Sequence, residues 1–273
     1  MIKIERVKES FWKDSYFSFC SEEFYDCSAF RITFFGKTFR IKYSKKFNYF
    51  LMAYKTVRAE KDIALQRMMI GKLAQVVLEQ MLVKEGVPVS SLEILLADGR
   101  SPVFTFKGFW ENTPVFIKLN IYPTLPSHAQ TTTRSNRSSL RREYEGGKLF
   151  SSVCPHCLTP IKYLELPQCE ILVTPLIENA KTLHDSMRSA SGLKEEYASQ
   201  LKEVRRHMRE NKLAHGDLHG GNLLIGRVAG GEEQLHIIDF TTAKRFTDDS
   251  YFSSREYKSD ETNFNRYLKT EEK

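Results

Sequence analysis

The segment that most restricts the fold of this 273-residue chain lies in its last third. From Leu193 the apolar residues Tyr197, Leu201, Val204 and Met208 follow at spacings of four, four, three and four, the period of a helix that buries one face. That helix leads into the polar loop His215-Gly216-Asp217-Leu218-His219-Gly220-Gly221-Asn222, then the apolar run Leu223 to Ile225, then Ile237-Ile238-Asp239-Phe240. Two acids and an amide are thereby offered from adjoining strand ends.

Carboxylate and amide oxygens are hard donors of the kind Mg²⁺ accepts, and this ion usually takes one or two from protein while keeping waters and phosphates. Phosphoryl transfer calls for such a set. Its transition state spreads negative charge over oxygens that must be neutralised and held in line with the attacking hydroxyl. Upstream, apolar runs at Leu92 to Leu96, Val103 to Trp110 and Pro114 to Ile121, with turns at Asp98-Gly99 and Glu111-Asn112, read as an antiparallel meander. Its third strand carries Val115-Phe116-Ile117-Lys118. Ser139 to Phe150 reads as a helix containing Arg142-Glu143-Tyr144-Glu145, and Ile161 to Leu166 and Ile171 to Ile177 read as further strands.

In these residues the chain resembles the protein-kinase-like superfamily over about Leu92 to Arg245. The resemblance implies that Asp217 is the catalytic aspartate, that Asn222 and Asp239 hold Mg²⁺, and that His215 braces the loop. It implies further that Lys118 contacts the α- and β-phosphates of ATP, paired with Glu143, or with Glu145 in its place. The phosphate loop would include Gly99 and Arg100, and residues 173–178 would link two lobes, with the backbone at Thr174 and Leu176 reading the adenine edge. Gly216, His219 and the paired glycines before Asn222 are more similar to aminoglycoside phosphotransferases, choline-kinase-like enzymes and the small atypical kinase of the tRNA-modifying KEOPS complex. Two features depart from the pattern. Residues 97–102 hold a single glycine where backbone amides would cradle phosphates, and Pro102 removes one amide; Thr241 stands where a glycine follows the Asp-Phe pair, stiffening a hinge.

The implied architecture is α+β: a two-lobed protein-kinase-like fold with a 1–90 N-terminal extension, a 91–178 N-lobe and a truncated 179–273 C-lobe. The implied activity is transfer of the γ-phosphate of ATP to a hydroxyl acceptor, on a protein or a small molecule. Tyr257-Lys258-Ser259-Asp260 resembles the start of the helix whose aspartate anchors the catalytic loop, with Phe264, Tyr267 and Leu268 packing beneath. Only 34 residues, 240–273, follow Asp239, so the expectation is a protein partner or a partner-presented substrate. Gly216 replaces the arginine that reads a phosphorylated activation segment, which argues against that switch. A pseudokinase binding nucleotide or partner without turnover, and a nucleic-acid-associated factor, are the alternatives.

The remaining signals are local. Phe30, Ile32 and Phe34 alternate, Gly36-Lys37 offers a turn, and Phe39, Ile41 and Tyr43 return, a hairpin whose other face carries Arg31, Arg40 and Lys42. A solvated basic face accounts for it, with nucleic-acid contact as the alternative. Glu60 to Lys84 reads as one amphipathic helix ended by Gly86 and Pro88, and Thr131 to Arg142 as a basic loop. Lysines and arginines number 41 against 34 acids, a net charge of +7 that suits anionic partners such as nucleotides. The five cysteines, Cys20, Cys27, Cys154, Cys157 and Cys169, lack framework spacing, and the start lacks the apolar block of a signal peptide or membrane span. An intracellular protein, cytoplasmic or nuclear, with no transmembrane segment is expected. Cys154-Pro155-His156-Cys157 spells a redox dithiol and holds three zinc-ligand types. Pro160 and the shortage of ligands favour a structural turn instead.

Overall fold

In the computed structural model the described residues are 3–8, 27–34, 37–42, 71, 74, 75, 78, 79, 82, 83, 85–96, 103–121, 139–166, 169–189 and 193–268. They form a mixed α+β structure whose sheets are mostly antiparallel. Two compact units are present: 1–112 with 117–137 and 165–171, and 113–116 with 138–164 and 172–273. Among the described residues no helix is long and apolar enough to cross a membrane.

In the first unit, β1 (Lys3–Lys8), β2 (Cys27–Phe34) and β3 (Lys37–Lys42) form an antiparallel sheet in that order. Phe30 lies opposite Ile41 and Ile32 opposite Phe39, the expected hairpin register, although Lys37 is already in the ladder opposite Phe34. The β1 strand has no counterpart in the sequence reading. Of the expected 60–84 helix, the described residues 71, 74, 75, 78, 79, 82 and 83 are helical, and Ala74, Leu78 and Leu82 are buried one turn apart. Gly86 ends it at φ 62. The Gly86 N–H donates to Val83 O (3.1 Å) and the Val87 N–H to Leu82 O (2.9 Å), the paired bonds of a glycine C-cap.

Strands β4 (Val89–Leu96), β5 (Val103–Trp110), β6 (Thr113–Ile121), β7 (Lys162–Leu166) and β8 (Cys169–Pro175) make a sheet ordered β4-β5-β6-β8-β7. The turn between β5 and β6 is Glu111-Asn112, at φ 47 and 72, which a two-residue hairpin turn with right-handed strand twist requires. Phe104 and Phe106 alternate on the buried face of β5, as Val115, Ile117 and Leu119 do on β6.

The second unit contains α1 (Ser139–Ser151), β9 (Ile177–Thr182), α2 (Leu183–Ser189), α3 (Glu195–Glu210), β10 (Leu213–Ala214), β11 (Leu223–Val228), β12 (Gln234–Ile237), β13 (Lys244–Arg245), α4 (Ser250–Ser253) and α5 (Arg255–Leu268). The α3 stripe buries Tyr197, Ala198, Leu201, Val204 and Met208, while Leu193, the first residue of the spacing read from sequence, precedes the helix and is half-buried. It packs in one core with Leu223, Ile225, Leu235 and Ile237 of the strands and with Phe264 and Tyr267 of α5.

Two short ladders decide where the polar loops go. Leu223 pairs with Ile237 in the β11–β12 ladder, and Ala214 pairs with Lys244 in the β10–β13 ladder. Loop 215–222 and segment 238–243 therefore run side by side between the same two ladders. Helix α1 packs onto the second of them through two glycines: a methyl group on Gly146 would stand 2.5 Å from Phe240 O and 2.9 Å from the Ala243 Cβ, and one on Gly147 would stand 2.6 Å from Pro160. The Gly146→Ala substitution should thus displace α1 or segment 240–243 and cost about 1–3 kcal/mol in urea unfolding, as overpacking does. Replacing exposed Lys148 of the same helix by Ala should change stability by less than about 0.5 kcal/mol.

Candidate functional site

The floor of the site is a buried carboxylate. Asp260, 1% exposed on α5, accepts the His215 N–H at 2.7 Å and the Gly216 N–H at 3.0 and 3.1 Å on its two oxygens. The His215 side chain then ties the two loops together. Its Nε2–H donates to Ile238 O (3.0 Å) while Nδ1 accepts the Asp217 N–H (3.3 Å), and burial lowers its pKa, so the ring is neutral with one donor and one acceptor. Thr242 Oγ1 adds a second tie by donating to His215 O at 2.7 Å. Phe240 packs on this pair from the core, its ring centroid 5.3 Å from that of His215 and 5.1 Å from that of Phe150.

The polar residues read from sequence are brought together on this frame. Asn222 Nδ2 donates to Asp217 O (2.9 Å), and the Ile238 N–H donates to Asn222 O (3.1 Å), so Asp217, Asn222 and the residue before Asp239 share one hydrogen-bonded network. Asp239 itself takes φ 63, a left-handed conformation costly for a residue with a Cβ, and its Oδ1 accepts the Thr241 hydroxyl at 2.7 Å. The Asp217 carboxylate is 58% exposed, with His219 Nε2 3.8 Å from its Oδ2. His219 Nδ1 accepts the Gly221 N–H (3.0 Å), which leaves its proton on Nε2, toward Asp217.

Asn222 spends an amide hydrogen on Asp217 O, and its Oδ1, like the Asp239 carboxylate, is an oxygen of the hard type that Mg²⁺ accepts. Among the described residues no group of three or more His, Cys, Asp or Glu is gathered as a metal cluster.

The other expected residues lie as follows. Lys118 is half-buried on β6 in the first unit, and Glu143 is buried on α1 in the second. Glu145, the alternative, is exposed and paired with Arg141 at 2.9 Å. Gly99 and Arg100 lie outside the described residues. Thr174 Oγ1 donates to Phe116 O (3.5 Å), and the Leu176 N–H donates to Pro114 O (3.0 Å), so at these two residues, expected to read adenine through their backbone, one amide is taken within the protein. The Cys154–Cys157 segment is a turn that docks on β12: the Leu158 N–H donates to Ile237 O and the Ile237 N–H to His156 O. Cys154 and Cys157 are free thiols, and burial pushes the Cys157 pKa well up, which disfavours the thiolate.

Sequence reasoning missed Thr242, the orienting bond of Thr241, His219 as the neighbour of Asp217, and Gly146. The Thr241-Thr242 pair directly after Asp-Phe was the available signal. No protein-family model matches this chain, and no curated protein matches it.

Burial pushes the Asp260 pKa up to about 6 from an ordinary 3.8, against the amides of Gly216, His215 and Leu218, which pull it down. Between those values the folded chain holds a proton that the unfolded chain has released. Stability contributed by Asp260 should therefore fall as pH rises from about 4 to about 6, by at most about 1.4 kcal/mol per pH unit, and stay level above. Buried His215 acts in the opposite direction, adding stability as pH rises toward 6.5. Urea unfolding across this range should show the falling component in the natural chain and lose it in Asp260→Asn, with the His215 component left in both.

Proposed function

We propose that the chain is an ATP-dependent phosphotransferase with a two-lobed kinase-like fold, acting on a hydroxyl acceptor. The observation that carries this reading is the single hydrogen-bonded network that links Asp217, Asn222 and the backbone delivering Asp239. Bound Mg²⁺ supplies neutralisation of the charge that builds on the phosphate oxygens. Asn222 and Asp239 would hold it, and the Thr241 hydroxyl donates to the Asp239 carboxylate and orients it. On the resemblance, Lys118 is the residue assigned to the ATP phosphates. Asp217, with its carboxylate turned to solvent and His219 Nε2 3.8 Å away, accepts the proton of the attacking hydroxyl. His215 contributes no proton. Held neutral by burial, it fixes the spacing of the two loops.

Thermal melts with and without Mg-ATP test the reading. A ligand at a hundred times its Kd stabilises the state it binds by about 2.7 kcal/mol. The natural chain should show an upward shift that depends on Mg²⁺, and Asp239→Ala should still unfold cooperatively without ligand, at a somewhat lower temperature, but lose the shift. An undiminished shift in that variant would remove Asp239 from the site.

A further inference from the structure

A cavity of about 850 Å³ opens within the second unit against the loop that carries Asp217. Gly216 and Asp217 form part of its wall, with segment 241–245, the Arg142 end of α1 and the start of α5; neither Asn222 nor Asp239 lines it. Asp217 thus faces the cavity from one side of the site, while the two cation donors lie outside its wall.

The wall carries four basic and three acidic residues. Arg142, Lys244, Arg245 and Arg255 stand against Glu145, Glu256 and Asp217 itself. Glu145 is held from outside by Arg141 at 2.9 Å, and Glu256 is paired with Lys244. Arg245 adds charge beyond these pairs, and Arg255 stands close enough to Glu256 to help hold its pKa down behind the Lys244 hydrogen bond. Arg245 is fixed through its backbone, in ladder register with Leu213, and is exposed at the side chain. Guanidinium groups present planar forks matched to phosphate and carboxylate oxygens, and a volume of this size suits a small molecule rather than a flat protein interface.

We propose that this cavity receives the acceptor, and that the acceptor is a small hydroxyl-bearing molecule carrying a phosphate or carboxylate group, gripped by Arg245 and Arg255. This rests on the phosphotransferase reading and names the substrate class of that site. In the reaction the acceptor O–H gives its proton to the Asp217 carboxylate, and the freed oxygen forms a bond to the γ-phosphorus of ATP. The bond from that phosphorus to the β,γ-bridging oxygen breaks, and ADP leaves with the electron pair.

The test uses the full chain with Mg-ATP and matched probes: glycerol against glycerol 3-phosphate, mannose against mannose 6-phosphate, and glycerol against glycerate. Transfer is followed by mass spectrometry of the product, and binding by thermal shift with each probe in the absence of ATP. The anionic member of a pair should stabilise the chain and accept phosphate, and Arg245→Gln with Arg255→Gln should raise its KM about ten- to a hundredfold while the Mg-ATP shift is kept. Equal use of the uncharged member, transfer only to an acidic peptide, or no stabilisation by any anionic probe would each overturn the proposal. Failure of the phosphotransferase reading shows separately, as a natural chain that Mg-ATP does not stabilise. The ATP-free arm still decides the cavity in that case: probe binding lost in the double variant supports an anion site, and binding unchanged in it overturns one.

Discussion

The arrangement of the second unit depends on one buried carboxylate. Asp260 supplies acceptors for the backbone donors of His215 and Gly216, which have no strand partner where the chain leaves β10. A buried donor left without an acceptor costs about 1–3 kcal/mol, so these bonds decide the path of the loop. Gly216 makes that path possible. It sits at φ 80, and a methyl group there would come within 3.2 Å of Thr242 and Glu256. From this anchored start the loop reaches Asn222 and enters β11 in a fixed register with β12, and the facing segment has no independent freedom.

Asp239, to which the proposal gives the cation, is one of several non-glycine residues at positive φ. A non-glycine residue in a left-handed conformation costs about 1–3 kcal/mol and persists only where its surroundings over-determine it. At Asp239 those surroundings are the β11–β12 ladder before it, the Thr241 hydroxyl on its carboxylate, and Phe240 locked between Phe150 and His215 after it. Helix α1 closes the arrangement from outside through Gly146, which touches the Phe240 backbone. The site is thus held by contacts spread over α1, α5 and both ladders, all within the second unit.

Much of this was legible where the signal is local. The four-four-three-four spacing gave the buried face of α3, Gly86 the end of the helix before it, and Glu111-Asn112 the turn between β5 and β6. The polar residues of the loop were found by type and order, and Asp260 by the resemblance of Tyr257-Lys258-Ser259-Asp260 to a helix whose aspartate anchors such a loop. What stayed hidden depends on approach between distant segments. Gly146 looks like an ordinary weak helix residue until Phe240 is placed against it, and Thr242 looks like a solvated threonine until the His215 carbonyl is found 2.7 Å away. The β1 strand is charge-rich, with no apolar run to reveal it, and forms by pairing with β2. The cavity wall draws on residues from 142 to 259, a convergence that no window of sequence contains.

The most direct measurement is transfer of labelled γ-phosphate from Mg-ATP into fractionated cell extract, comparing the natural chain with Asp217→Asn. The account predicts a labelled acceptor with the natural chain, a rate lower by about a hundred- to ten-thousandfold with the variant, and an equal Mg-ATP thermal shift in both. Transfer by Asp217→Asn at the natural rate would contradict it.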